Sequence, residues 1–140
     1  MSGALAFTVA VEPARVAPGR PVALVMSLRN PGSEPWLVNA RFAVAPEDGD
    51  IRLVVTSNGQ DLGLRYLVRL GPLVASHFVT LGPGEETTGR FDLSSAYALH
   101  LPGSYEIIAE YVSPGYPPEL SGQHVFVGRV HAPVVQLLVE

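Results

Sequence analysis

The sequence predicts an all-β protein, an antiparallel sandwich or barrel of about eight or nine strands. Apolar and polar residues alternate along most segments, and no long segment has the periodicity of a helix. Turn-forming Gly, Pro, Asn and Asp residues recur roughly every ten residues. The 140 residues fit one domain, residues 1–140, which is long enough to bury a core without a disulfide or a metal.

Composition narrows the classes of function. Apolar residues make up 47% of the chain and charged residues only 16%, which excludes intrinsic disorder. The nine basic residues are all Arg and form no run, and the net charge is −4. We therefore expect no nucleic-acid partner. The absence of Cys excludes disulfides, thiolate catalysis and cysteine-based metal sites.

The first residues predict a strand rather than a signal peptide, because they lack a basic start and a solid apolar block. No apolar run approaches the ~18 residues that span a bilayer, so we expect no membrane contact. The protein as given is expected to be cytoplasmic. An exported form from which a leader was removed fits equally well.

The first half of the chain shows clear strand patterns. Residues 5–11 and 22–28 alternate strictly, and Pro13 ends the first of these strands. Residues 36–44 predict one strand with Asn39 and Arg41 pointing outward. The Asn58-Gly59 pair predicts a hairpin between a strand at 51–55 and a return strand at 62–70.

Residues 78–111 predict the corner that joins the two sheets. A strand, a turn at 82–86 and a second strand lead to one helical turn, which Asp92 or Ser94 caps. After Gly103 a closing strand follows, with Glu106 and Glu110 outward. Tyr97 and Tyr105 flank this bend, and we expect one of them to bond back to the backbone.

The chain ends with a Pro- and Gly-rich loop at 113–122, a strand at 124–130 and an apolar strand at 133–140. Only Gln136 interrupts the apolar character of the last strand. It therefore lies inside a sheet, or it is an edge that a homodimer covers.

Several of these pieces, in this order, resemble the immunoglobulin-like β-domain that precedes the catalytic domain of deuterolysin-type (aspzincin) metallopeptidases, here as a stand-alone bacterial-type protein. They are Arg29-Asn30-Pro31-Gly32, Asn39-Ala40-Arg41-Phe42, Leu81-Gly82-Pro83-Gly84-Glu85, Phe91-Asp92-Leu93-Ser94, Pro102-Gly103-Ser104-Tyr105 and the stretch from Gly128 to Pro133. The resemblance implies an immunoglobulin-like sandwich. It implies no catalytic residues, since the His-Glu-x-x-His zinc motif is missing.

Two features are candidate partner contacts. Arg41, Arg52, Arg65 and Arg69 fall on the outward faces of successive predicted strands, and together they would form a positive patch for an acidic partner. The alternative is a solvated face on which Glu106 and Glu110 pair with Arg41 across a sheet. Tyr116, held between Gly115 and two prolines, suits a protein contact.

Metal and catalytic sites are weakly indicated. Glu47, Asp48 and Asp50 lie in one loop that suits a weak Ca²⁺ site, but a solvated turn explains it more simply. The spacing of His77, His100, His124 and His131 aims no pair at one ion. No motif supports a reaction class, and we expect neither an enzyme nor a cofactor.

We therefore expect a non-enzymatic protein-interaction module. One alternative is an inhibitor or chaperone-like partner of a peptidase, which inserts a loop such as 113–122. A further alternative is a carbohydrate-binding domain.

Overall fold

The structure, a computed structural model, describes residues 4–45, 48–65 and 70–140. In these ranges the chain forms, in order, β1 (Ala6–Glu12), β2 (Arg15–Val16), β3 (Ala23–Arg29), β4 (Trp36–Asn39), β5 (Ile51–Ser57), β6 (Gln60–Leu62), β7 (Phe78–Leu81), β8 (Glu86–Asp92), α1 (Leu93–Ala96), β9 (Gly103–Ser113), β10 (Gly128–His131) and β11 (Val135–Val139).

These strands build the two layers of a β-sandwich. The smaller sheet has the order β1-β3-β8, and the larger sheet has the order β2-β11-β9-β5-β6, with β10 also paired to β9. Strands β4 and β7 form a separate antiparallel pair. The predicted all-β sandwich is confirmed.

One core lies between the sheets. It contains the buried residues that alternation predicts on β1 and β3, including Phe7 and Leu24, and those on β9 and β11, including Ile107 and Leu137. The rings of Phe7 and Tyr111 pack across the sandwich with centroids 6.0 Å apart. Burial of these alternating faces is the main force that holds the layers together.

The first strand is divided between the two sheets. β1 ends at Glu12, as Pro13 predicts, and the Glu12–Pro13 peptide is cis. The chain then crosses to the larger sheet, where β2 pairs in parallel with β11. The last strand β11 therefore lies between β9 and β2, inside the sheet, which decides the question left open by its apolar sequence.

The hairpin predicted at Asn58-Gly59 is confirmed. Ser57 lies opposite Gln60, and both turn residues have positive φ, 53° and 77°. These angles match the type I′ turn that an Asn-Gly pair favours. β6 ends at Leu62, so the predicted return strand is shorter than expected, and its residues 66–69 lie outside the described ranges.

The single strand predicted over residues 36–44 is wrong. β4 ends at Asn39, whose side chain is fully buried instead of pointing outward. Asn39 Nδ2 donates to Asp50, and its Oδ1 accepts from the backbone N–H of Arg41. These bonds turn the chain out of the strand, and Phe42 then takes a positive φ of 53°.

Candidate functional site

The surface with the most distinctive arrangement is the solvent side of the larger sheet, which we call the outer face. On β9 the buried residues Ile107, Ala109 and Tyr111 alternate with outward-pointing neighbours. The outer face consists of Arg52, Val54 and Thr56 of β5, Asp61 of β6, Glu106, Ile108 and Glu110 of β9, Arg129 and His131 of β10, and Gln136 with the preceding Val134 at β11.

Aliphatic side chains form the middle of the outer face. Val54 lies directly opposite Ile108 on the neighbouring strand, and the two are 41% and 36% exposed. The β11–β9 register sets Val135 opposite Ile107, which places Val134, 53% exposed, level with Ile108. Two neighbouring strands and the residue that precedes β11 thus present apolar surface to solvent at the same height.

Positive charge gathers at one end of the outer face. Glu110 accepts from Arg129 at 3.3 Å and faces His131 Nε2 at 3.0 Å. Arg52 lies opposite Glu110 on β5, yet its Nε is shielded from solvent and has no hydrogen-bond partner among the described residues. Arg52 forms no ion pair among the described residues, so its guanidinium can bind a carboxylate of a partner.

The other end of the outer face is acidic. Thr56 lies between Asp61 of β6 and Glu106 of β9. Neither carboxylate forms an ion pair within the part of the chain that the structure describes. In the sequence, Asp61 and Glu106 are ordinary alternating charges. Their position at the end opposite Arg52 follows only from the strand register.

The four arginines predicted as one patch are not brought together. Arg52 lies on the outer face, and Arg65 is exposed near the corner, where its backbone N–H donates to Ala96. Arg69 lies outside the described residues. Arg41 points inward toward Asp50, so it pairs with neither Glu106 nor Glu110 as the sequence suggested.

Arg41 and Asp50 form the centre of a buried polar network. Arg41 Nε donates to Asp50 Oδ2 at 2.6 Å and its Nη2 donates to Oδ1 at 2.9 Å, with side chains 18% and 4% exposed. The hydrogen bond from Arg41 to Asp50 raises the pKa of the guanidinium above its ordinary value. Nearby, Tyr111 Oη donates to the Asn39 carbonyl at 2.8 Å, and burial raises the pKa of this phenol.

This network argues against the Ca²⁺ hypothesis for the loop. The Asp50 carboxylate already accepts from Arg41, Asn39 and the backbone N–H of Ala43. Asp50 is therefore buried and not part of a solvated turn, while Asp48 is exposed and Glu47 lies outside the described residues. Among the described residues no group of three or more potential ligands surrounds a metal position.

The predicted corner is present. Tyr105 Oη donates to the Leu101 carbonyl at 2.6 Å, which confirms a tyrosine bond back to the backbone, and Tyr97 is buried. Asp92 caps α1 by accepting from the backbone N–H of Ser95. Its hydrogen bonds from Ser94 and Ser95 lower the pKa of the Asp92 carboxyl. Gly103 begins β9 with φ 149°, a conformation that side chains disfavour.

The outside of the corner also forms an open cleft of about 320 Å³. From the sequence, the polar residues of the corner were expected only to hold its structure. Arg20 and Arg65 line it together with His100 and the capping residues Asp92 and Ser95. The cleft mixes both signs of charge, and its residues are mostly exposed.

The loop at 113–122 presents Tyr116 to solvent, as expected. A short 3₁₀ turn at Pro118–Leu120 follows, and buried Leu120 holds the loop to the domain.

The histidines stay apart: His77 accepts from the backbone N–H of Val74, His124 stacks on Trp36 at 3.7 Å, and His131 contacts Glu110.

No protein-family model matches this chain, and no curated protein matches it. Within the described residues, no helix has the length and apolar character needed to cross a membrane.

Proposed function

We propose that this protein is a non-enzymatic protein-interaction module that binds its partner with the outer face. The observation that carries the proposal is the apolar middle of that face, where Val54 and Ile108 lie opposite each other and stay exposed. Charged residues surround this middle at both ends. An apolar centre with a polar rim is the usual composition of a protein-binding surface.

The other sheet offers a contrast that supports this choice. Apart from Val25, which is only partly exposed, its outward positions carry small or polar residues such as Thr8, Ala10, Ser27 and Thr88. Such a surface gains little free energy when water is removed from it, because it holds little apolar area. Arg52 adds a second reason, since it forms no ion pair among the described residues and a partner's carboxylate would supply one.

Photo-crosslinking tests the proposal. A photoreactive amino acid placed at position 54 of the purified protein should form an adduct with a protein, either another chain or a second copy, in an extract of the source cells. The same group at Val79 is the matched control, because Val79 is 39% exposed but lies on β7, outside the outer face. Equal labelling from both positions, or no adduct from position 54, would contradict the proposal.

The other two hypotheses stay predictions. The exposed Tyr116 on its anchored loop is compatible with a peptidase partner, and the cleft beside Arg20 and Arg65 is compatible with a polar ligand. Neither feature combines exposed aliphatic residues on neighbouring strands with charged residues at both ends, as the outer face does.

A further inference from the structure

We propose that the partner of the outer face is a second copy of this chain, packed face to face with its strands antiparallel to those of the first. This inference rests on the proposed function, because it takes the outer face as a protein-binding surface. It goes further by naming the occupant and the arrangement.

The register of β5 against β9 divides the outer face into three rows. Arg52 and Glu110 form the first row, Val54 and Ile108 form the middle row, and Thr56 and Glu106 form the third. Successive rows are about 7 Å apart, because each is two residues further along its strand. The first and third rows therefore lie at equal distances from the apolar middle row.

This spacing makes the face self-complementary under a twofold axis. An axis that runs along the middle row, across the strands, places Val54 and Ile108 of one copy against the same residues of the other. The same twofold rotation exchanges the first row with the third row. The Arg52 row of each copy then lies over the Thr56 row of its partner.

Charge favours this antiparallel arrangement. Arg52 would lie over Thr56 of the second copy, which Asp61 and Glu106 flank on the two neighbouring strands. The guanidinium, which forms no ion pair among the described residues, would gain two carboxylates. An axis parallel to the strands would instead set the basic end over the basic end, which like-charge repulsion disfavours.

One contact opposes the arrangement. Glu110 of one copy would lie over Glu106 of the other, since both are on β9. Arg129 already contacts Glu110 at 3.3 Å, so its positive charge offsets this repulsion. The net interaction between the two ends remains attractive.

The size of the face predicts a weak dimer. Four strands spaced by about 4.8 Å and some seven residues of β9 give an area of roughly 20 by 20 Å. Such an interface falls in the small class, which is typical of transient complexes. We therefore expect reversible association in the micromolar range, weakened by salt because its charges lie at a wet rim.

Charge reversal in separate copies gives a test that a misfolded variant cannot imitate. In a homodimer, Arg52→Glu alone brings a carboxylate at position 52 close to Glu106 of the second copy. Glu106→Arg alone brings a new guanidinium close to Arg52 of the second copy. Each variant should be monomeric in sedimentation velocity at concentrations where the wild type dimerises.

An equimolar mixture of the two variants should restore association. Both contacts between positions 52 and 106 then pair opposite charges, so native mass spectrometry should show the heterodimer. Arg29→Glu is the control, because Arg29 is exposed on the other sheet. This control variant should dimerise like the wild type.

Several results would overturn the inference: a wild type that stays monomeric at all concentrations, single variants that dimerise normally, or a mixture that stays monomeric. These outcomes are distinct from failure of the proposed function. If position 54 crosslinks a different protein while the purified chain is monomeric, the self-association fails and the binding surface stands. If position 54 crosslinks nothing, both fail.

Discussion

At the scale of single residues, the carboxylate of Asp50 determines the path of the neighbouring chain. It accepts from Arg41 and Asn39 side chains and from the backbone of Ala43, so the segment that follows β4 wraps around it. Arg41 also donates to the Gly71 carbonyl at 3.1 Å, which connects this segment to a distant part of the chain. Burying the ion pair costs desolvation energy, and the surrounding hydrogen bonds offset that cost.

We predict that Asp50→Ala lowers the free energy of unfolding by about 3 kcal/mol, near the lower limit for breaking a buried ion pair, because Arg41 is partly exposed. Urea denaturation followed by fluorescence measures this change. Asp48→Ala, which removes an exposed aspartate in the same loop, should change stability by less than about 0.5 kcal/mol. Equal losses for the two variants would show that the network does not stabilise the fold.

The sequence did not reveal this network, for a physical reason. Alternation assigns side chains to two faces but does not show when a polar residue finds a buried partner. Asn39 and Arg41 fall on the polar positions of an otherwise regular pattern. Their side chains turn inward because both donate to Asp50, which lies 11 residues beyond Asn39 in the sequence.

At the scale of secondary-structure elements, the ring of Phe42 packs closely against the strand β8. Phe42 has a positive φ of 53°, and its ring lies over Gly89, where an added Cβ would come within 2.5 Å of the ring. Glycine inside a strand commonly marks such a close approach. The same ring packs edge-on against Tyr111, so β8 is tied to the core of the larger sheet.

Gly89→Ala should therefore destabilise the protein by about 1–3 kcal/mol, because Phe42 must move out of a packed position. The shift of the urea midpoint measures the effect. The matched control is Gly63→Ala, since a Cβ at Gly63 would meet no atom within 4 Å and its φ is not positive. A Gly89→Ala protein as stable as this control would mean that the ring adjusts without cost.

At the scale of the whole molecule, β9 is the central element. It pairs with β5 on one side and with β10 and β11 on the other, and it carries buried Tyr105, Ile107 and Tyr111. The larger sheet ends in short edge strands, three residues in β6 and two in β2. Short edges limit growth of the sheet by strand addition, and the proposed self-association uses the outer face instead.

This arrangement predicts the order of amide hydrogen exchange. The amides of Tyr105 and Ile107 should exchange most slowly, because these residues are paired with β5 on one side and β11 on the other, in the middle of the larger sheet. The amides of Asp61 and Arg15 on the edge strands should exchange fastest among strand residues. Exchange followed by NMR measures both sets. Protection of Asp61 equal to that of Ile107 would contradict the central role of β9.

The sequence by itself determined the all-β class, the strands around residues 5–11 and 22–28, the Asn58-Gly59 hairpin and the corner, with a cap at Asp92 or Ser94 and a backbone bond from Tyr97 or Tyr105. Each of these depends on local properties: side-chain alternation, turn conformation and capping over a few residues. Tertiary structure alone decided that Arg41 turns inward, that β11 lies inside the sheet, and that Arg52 and Glu106 occupy opposite ends of one face. Those features depend on which strands are neighbours and in what register, and pairing between residues far apart in the chain leaves no local pattern.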